Sequence, residues 1–332
     1  MRLVFCGTPE FAVPTLQRLL QSGHAIELVV TQPDRAAGRG LAPASPPVKA
    51  AAAAANLAIA QPEKIRQNLE LQARLESIRP EVIVVVAYGK IIPRWMLDLP
   101  PLGNLNLHAS LLPKYRGAAP IQWAVANGEK VTGVTTMRID EGLDTGPILL
   151  QREIPIGDEQ SAADLFPVLA EAGAQLMAET LDRLCKGDLT PVPQDGSLAS
   201  HAPLLARKEG LIDFHRPAAA IYNRWRGFHP WPGAYAYFRS KKAIFHRLQP
   251  AGAVRSDAAP GEIAIDAGRL FVAAGAGSWL EILELQMEGK RRLTAEEFLR
   301  GAAHSFRSGA RERFTSELPG GGDDPQPGPG LG

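Results

Sequence analysis

A continuous apolar run, Val82 to Val86, is the feature that most narrows what this chain can fold into. A strand that is apolar on both faces must be covered on both, and a parallel sheet flanked by helices does this. The flanking pattern agrees. Leu3 to Cys6 reads as a buried strand, Phe11 to Leu20 as an amphipathic helix, Ile26 to Thr31 as a second strand, and Leu102 to His108 as an alternating strand. The spacing of Leu165, Leu169, Leu176 and Leu184 predicts a helix over 161–186, with Ser161 as N-cap, Asp164 in the first turn and Gly187 as the stop. Pro167 lies too deep for a first-turn proline, which predicts a kink there or a later start.

The chain has 332 residues, beyond the size at which one core keeps growing, so two domains are expected. The stretch GDLTPVPQDGSLASHAPLLA lacks any sustained period and reads as a linker over 188–206, after a first domain of 1–187. Beyond it, short runs separated by turns (Ala234 to Phe238, Ala243 to Leu248, Glu262 to Asp266, Leu270 to Ala273, Leu280 to Gln286) suggest a small antiparallel barrel within 207–307. Residues 308–332, rich in Gly, Pro and acids, are expected to be disordered.

Dividing the charge the same way is informative, because the net value of +1 hides an asymmetry. Residues 1–206 carry 18 Lys and Arg against 21 Asp and Glu, a balance of −3, whereas residues 207–313 carry 18 against 11, a balance of +7. A basic second domain is a candidate footprint for nucleic acid, with a solvated basic face as the competing reading. Cys6 and Cys185 fit neither a disulfide framework nor a metal spacing, and no stretch approaches a membrane span. These features predict a cytoplasmic protein without a structural metal.

Candidate chemistry begins after the first strand. Gly7 is followed by no glycine until Gly23, so the G-x-G-x-x-G turn of a dinucleotide site is missing and a nicotinamide or flavin cofactor is not expected. In Gly103-Asn104-Leu105-Asn106-Leu107-His108 the alternation of a strand puts Asn106 and His108 on one face, about 6 to 7 Å apart. They sit at the end of the strand, where open α/β sheets place their ligand crevice. The loop Asp140 to Pro147 offers three acids, Asp140, Glu141 and Asp144, and spacing alone does not choose among them. An Asn, a His and one such Asp, with no metal ligands or nucleophilic Ser or Cys, suit acyl transfer straight to an amine. The amide donates to a developing oxyanion, the imidazole moves a proton or stabilises charge, and the carboxylate orients the imidazole. The loop Gln32 to Gly40, with Arg35 and Arg39, could touch phosphates, or be a surface loop with incidental charges.

From FCGTPEFAVPTL through TQPDRAAGRG, VVVAYGKIIP, NLHASLLPKYRGAAPIQWA and DEGLDTGPIL to RKEGLIDF and HPWPGAY, the chain resembles the methionyl-tRNA formyltransferase family over nearly its whole length. The resemblance implies a Rossmann-like α/β domain followed by an OB-like β-barrel. It also implies transfer of formyl from 10-formyltetrahydrofolate, the folate co-substrate, to the amino group of methionyl initiator tRNA, by a monomer with no metal. It singles out Asn106, His108 and Asp144 as catalytic. By the same resemblance folate lies along Val86, Ala87, Tyr88, Gly89, Ser110, Leu111, Leu112 and Pro113, and tRNA meets Arg35, Arg39 and Lys208. Family loops often carry lysines after GRG, but here Leu41-Ala42-Pro43-Ala44 follows, which shifts the expected tRNA affinity toward the basic second domain. Formyl transfer to an amino sugar or glycinamide ribonucleotide, and a catalytically silent RNA-binding protein, are the rival readings.

Overall fold

The computed structural model describes residues 1–37, 42–255, 257–306 and 311–317. It divides into two compact units, one of residues 1–124 and 129–204 and the other of 125–128 and 205 onward.

In the first unit the strands are β1 (Arg2–Gly7), β2 (Ala25–Val30), β3 (Arg35–Ala37), β4 (Ala42–Ala44), β5 (Ile59–Ala60), β6 (Val82–Val86), β7 (Asn104–His108), β8 (Val131–Arg138) and β9 (Ile148–Pro155). Seven of them form one sheet in the order β5-β2-β1-β6-β7-β8-β9, while β3 and β4 pair with each other. The sheet is parallel from β5 to β7 and antiparallel from β7 to β9. All five residues of β6 are buried, as a strand covered on both faces requires. Helices α1 (Val13–Leu20), α2 (Pro47–Ala54), α3 (Leu69–Ile78), α4 (Arg94–Leu97), α5 (Pro120–Ala126) and α6 (Ala162–Cys185) follow in chain order.

The helix foreseen over 11–20 is split: a 3-10 turn at Glu10–Ala12 leads into α1, whose second residue is Pro14. A proline so near the start removes only an N–H that has no partner in the helix. Helix α6 begins at a capping box, in which the Ser161 side chain accepts from the Asp164 N–H and the Asp164 side chain accepts from the Ser161 N–H. It continues through Pro167. That residue is on the exposed face, so water can take up the carbonyl left without a helical donor. Gly173 brings α6 against the strand that carries the candidate site, since a Cβ there would lie 2.6 Å from Cδ2 of Leu107.

The stretch 188–206 was expected to be a linker, and up to Leu204 it is instead part of the first unit. Val192 and Ile148 exchange two backbone hydrogen bonds at 2.8 Å, and Arg116 pairs with Ser200 and Ala202 through its main chain. Periodicity misses such a segment because its bonds go to distant loops rather than along an element.

The second unit holds β10 (Tyr235–Phe238), β11 (Lys241–Ala251), β12 (Ile263–Asp266), β13 (Arg269–Ala273), β14 (Trp279–Met287) and β15 (Arg292–Thr294), with helices α7 (Ala218–Gly227) and α8 (Ala295–Phe306). Its antiparallel, OB-like sheet runs β10-β11-β14-β13-β12, with β15 on β14. Phe214, Phe238, Phe245, Leu270, Leu280, Leu285 and Phe298 fill its core. Phe314 joins them at 1% exposure, with ring centroids 5.1 Å from Phe245 and 5.3 Å from Phe238. The expectation of disorder from residue 308 is therefore corrected for 311–317, where one buried aromatic among polar residues anchors the strand-like pairs Glu262–Arg313 and Tyr237–Thr315. Composition averages over such a residue. The remainder of 308–332 lies outside the described residues.

Candidate active site

Strand β7 lies beside the parallel β6 and the antiparallel β8, and its C-terminal end opens on the candidate site. Leu105 and Leu107 are buried on one face, and the other face carries Asn106, half-buried, and His108, 6% exposed. Asn104 is also buried, but its Nδ2 donates to the carbonyls of Met96 and Leu97 at 3.0 and 3.1 Å, which makes it a structural amide.

The loop between β8 and β9 brings Asp144 to this pair, whereas Asp140 and Glu141 turn elsewhere. Asp140 accepts from the Gly142 N–H and the Thr145 hydroxyl at 3.0 and 2.7 Å, and Glu141 pairs with Arg94. The Asp144 carboxylate lies 3.6 Å through Oδ2 from His108 Nδ1, and accepts from Asn106 Nδ2 at 3.5 Å through Oδ1. Both distances are long for hydrogen bonds, as catalytic contacts often are before substrate draws them together. The shorter bond comes from the Gly117 main-chain N–H, which donates to Oδ2 at 2.9 Å. On the far side of the ring, His108 Nε2 is 2.9 Å from the Tyr115 carbonyl. A carbonyl only accepts, so Nε2 carries a proton and Nδ1 is the nitrogen that faces the carboxylate.

Tyr115 and Gly117 thus serve the site through main-chain atoms. Residue type alone gave these two no role, because a backbone donor or acceptor leaves no signature in the sequence.

The residues assigned to folate fall into two sets. After β6, Ala87 and Gly89 are exposed and both have positive φ, 46° and 79°. A Cβ at Gly89 would lie 2.5 Å from Gln32 Nε2, so the glycine leaves room for that amide beside the strand end. The Tyr88 side chain points into the core, where burial raises its phenol above the usual range, and its carbonyl accepts from Thr8 Oγ1 and Gln32 Nε2, each at 3.0 Å. In the second set Ser110 is fully buried, donating to the Lys114 carbonyl at 2.6 Å. Leu112 is buried, and its N–H donates to Thr135 at 3.2 Å. Leu111 and Pro113 are half-buried.

Among the residues assigned to tRNA, Arg35 is exposed and donates to Gln32 Oε1 at 3.0 Å, and Lys208 is exposed in the second unit. Arg39 lies outside the described residues. Lys49 is engaged by Asp34, whose carboxylate also accepts from Gln61; the bond from Lys49, then that from Gln61, holds its pKa below the ordinary value. Among the described residues no group of three or more His, Cys, Asp or Glu is arranged to hold a metal, and no helix is long and apolar enough to cross a membrane.

Two sequence families match this architecture: one described as formyl transferase covers residues 1–181, and one described as formyl transferase, C-terminal domain, covers residues 205–303. Fold and site together define a two-unit formyl transferase. A methionyl-tRNA formyltransferase of Acidobacterium capsulatum is 63% identical over 302 residues, 91% of this chain and 96% of its own. That of Koribacter versatilis is 56% identical over 301 residues, again 91% and 96%. The chain belongs to the methionyl-tRNA formyltransferase family. The crystal structure of an N-formyltransferase from Helicobacter canadensis, in complex with folinic acid and dTDP-3-aminofucose, shares the fold with a TM-score of 0.63 at 19% identity, covering 86% of this chain and 98% of that one.

Proposed function

We propose that this chain transfers the formyl group of 10-formyltetrahydrofolate to the free amino group of methionyl-tRNA(fMet), producing N-formylmethionyl initiator tRNA for translation initiation. The observation that carries the reading is the convergence of Asn106, His108 and Asp144 at the C-terminal end of β7, with the carboxylate held by the Gly117 N–H.

The bound folate supplies the activated formyl carbon; the chain supplies position and charge. Nδ2 of Asn106 carries two N–H groups and spends at most one on Asp144, so the other is available to the oxygen that gains charge under attack. His108 is locked by the Tyr115 carbonyl, and a proton on its Nδ1 points toward Asp144. The imidazolium so formed stabilises the charge that develops under attack, and the proton lost by the amine leaves with N10 of the tetrahydrofolate, directly or by way of the Asp144 carboxylate. Ala87 to Gly89 and the segment Ser110 to Pro113 form the folate walls, Arg35, Arg39 and Lys208 contact tRNA phosphates, and the protein acts as a cytoplasmic monomer.

The test is transfer of labelled formyl from 10-formyltetrahydrofolate to methionyl initiator tRNA, run beside free methionine and an amino-sugar nucleotide. Transfer to tRNA alone is expected. Transfer to a small amine instead would replace the substrate, and tRNA binding without transfer would leave an RNA-binding protein.

A further inference from the structure

Asp144 has φ +54°, in the left-handed region that an L side chain occupies only when its surroundings over-determine it. Part of the constraint is internal, through Asp140. The rest comes from Gln194, in the stretch that carries no periodic signal. Its Nε2 donates to the carbonyl of Asp144 at 2.9 Å and to that of Gly146 at 2.8 Å, so a single amide group fixes the peptide planes 144–145 and 146–147. Its Oε1 accepts from Nε and Nη2 of Arg116 at 3.1 and 2.7 Å. Only this orientation of the amide suits all four partners, since the carbonyls only accept and the guanidinium only donates.

Arg116 is itself fixed. Its N–H donates to the Ser200 carbonyl at 2.8 Å, and its carbonyl accepts from the Ala202 N–H at 2.7 Å. The next residue, Gly117, holds the Asp144 carboxylate. The Arg116–Gly117 step therefore grips Asp144 twice, by its carboxylate directly and by its main chain through Gln194. A contact that merely stabilised the loop would not need to join the same two residues at both ends.

We propose that Gln194 is a positioning residue for Asp144, setting the carboxylate against His108 through the main chain of residues 144–146. The proposal rests on the functional reading of Asn106, His108 and Asp144 above.

The test is steady-state formyl transfer by the full chain, with Gln194→Ala, the same-sized Gln194→Glu, Asp144→Asn and the two double variants. Gln194→Glu replaces the donor by a carboxylate oxygen facing two carbonyls. Both Gln194 variants are expected to lower kcat on the order of 10- to 100-fold, the loss that a misplacement of about 1 Å brings, with KM for both substrates unchanged. In the Asp144→Asn background neither should cause a further loss, because the group they position is already gone. Wild-type kcat in both Gln194 variants, losses that multiply in the double variants, or loss of cooperative melting in both would overturn the assignment. Wild-type kcat in Asp144→Asn would instead overturn the reading of the site itself.

Discussion

His108 Nδ1 and the Asp144 Oδ2 carboxylate oxygen face each other across 3.6 Å, one from a buried strand and the other from a loop residue at φ +54°. Separate contacts hold the two: the Tyr115 carbonyl for the ring and the Gly117 N–H for the carboxylate. Because the partners are themselves fixed, small changes in the loop should appear as lost turnover before they appear as lost stability.

Asn106 is the donor with an N–H to spare. Asn106→Ala should cost roughly 3 kcal/mol of transition-state stabilisation, on the order of 100-fold in kcat, with the melting temperature little changed. Single-turnover formyl transfer measures this, and wild-type turnover would remove Asn106 from the mechanism.

Gly146 closes the Asp144 loop against β8, and a Cβ there would come within 1.9 Å of the Arg138 carbonyl oxygen. The oxygen is main chain and the Cβ is fixed to main chain, so the loop has to shift. Gly146→Ala is expected to lose on the order of 100-fold in kcat, the scale of a 1 Å displacement, while urea unfolding of the rest of the chain changes far less.

Glu281, 5% exposed on β14, accepts two bonds from Arg269 and one from Gln249 Nε2 at 2.8 Å. The bonds from Arg269 contribute most to holding its pKa below the ordinary glutamate value. A carboxyl depressed on folding adds stability that is complete above its unfolded pKa of about 4.3 and lost as pH falls through the lower folded value. The urea midpoint of the second unit should therefore drop as the pH is lowered from 5 to about 3, and the gap between wild type and Glu281→Gln should narrow over the same range. A gap independent of pH would contradict the ion pair.

Phe314 is the sole large apolar side chain of residues 311–317 and lies in the barrel core. Phe314→Ala should destabilise the second unit by about 3 to 5 kcal/mol, read from chemical unfolding of the full chain. A loss below about 1 kcal/mol, typical of surface changes, would mean that the segment is not part of the core.

Lys208 is exposed and has no ion pair among the described residues. As a phosphate contact it should weaken tRNA binding when changed to Ala, and lower the slope of log affinity against log salt by about 1. Titration of methionyl-tRNA binding at several salt concentrations distinguishes this from an incidental charge, which would leave the slope alone.

Local chemistry makes much of the fold legible in the sequence. The run Val82 to Val86 is apolar on both faces and became the central strand β6, and the Ser161–Asp164 box opened α6 where its side chains predicted. The alternation Leu105, Asn106, Leu107, His108 is a property of extended backbone, so the two polar groups had to share a face. Of the two outcomes Pro167 predicted, the later start does not occur: the helix begins at Ala162 and runs through the proline, which lies on its exposed face where water can reach the freed carbonyl.

The sequence by itself determined the central strand β6, the N-terminal cap of α6 and the shared face of Asn106 and His108, and its resemblance to a family supplied the expectation that Asp144 joins them. Periodicity and residue type act over a few neighbours, and these features need no more. Only the tertiary structure decided which groups hold the carboxylate, because the Gly117 N–H, the Tyr115 carbonyl and the two carbonyls bound by Gln194 are main-chain atoms common to every residue. They gain a role when the 188–204 segment crosses back onto the first unit, and nothing in its composition records where it will land.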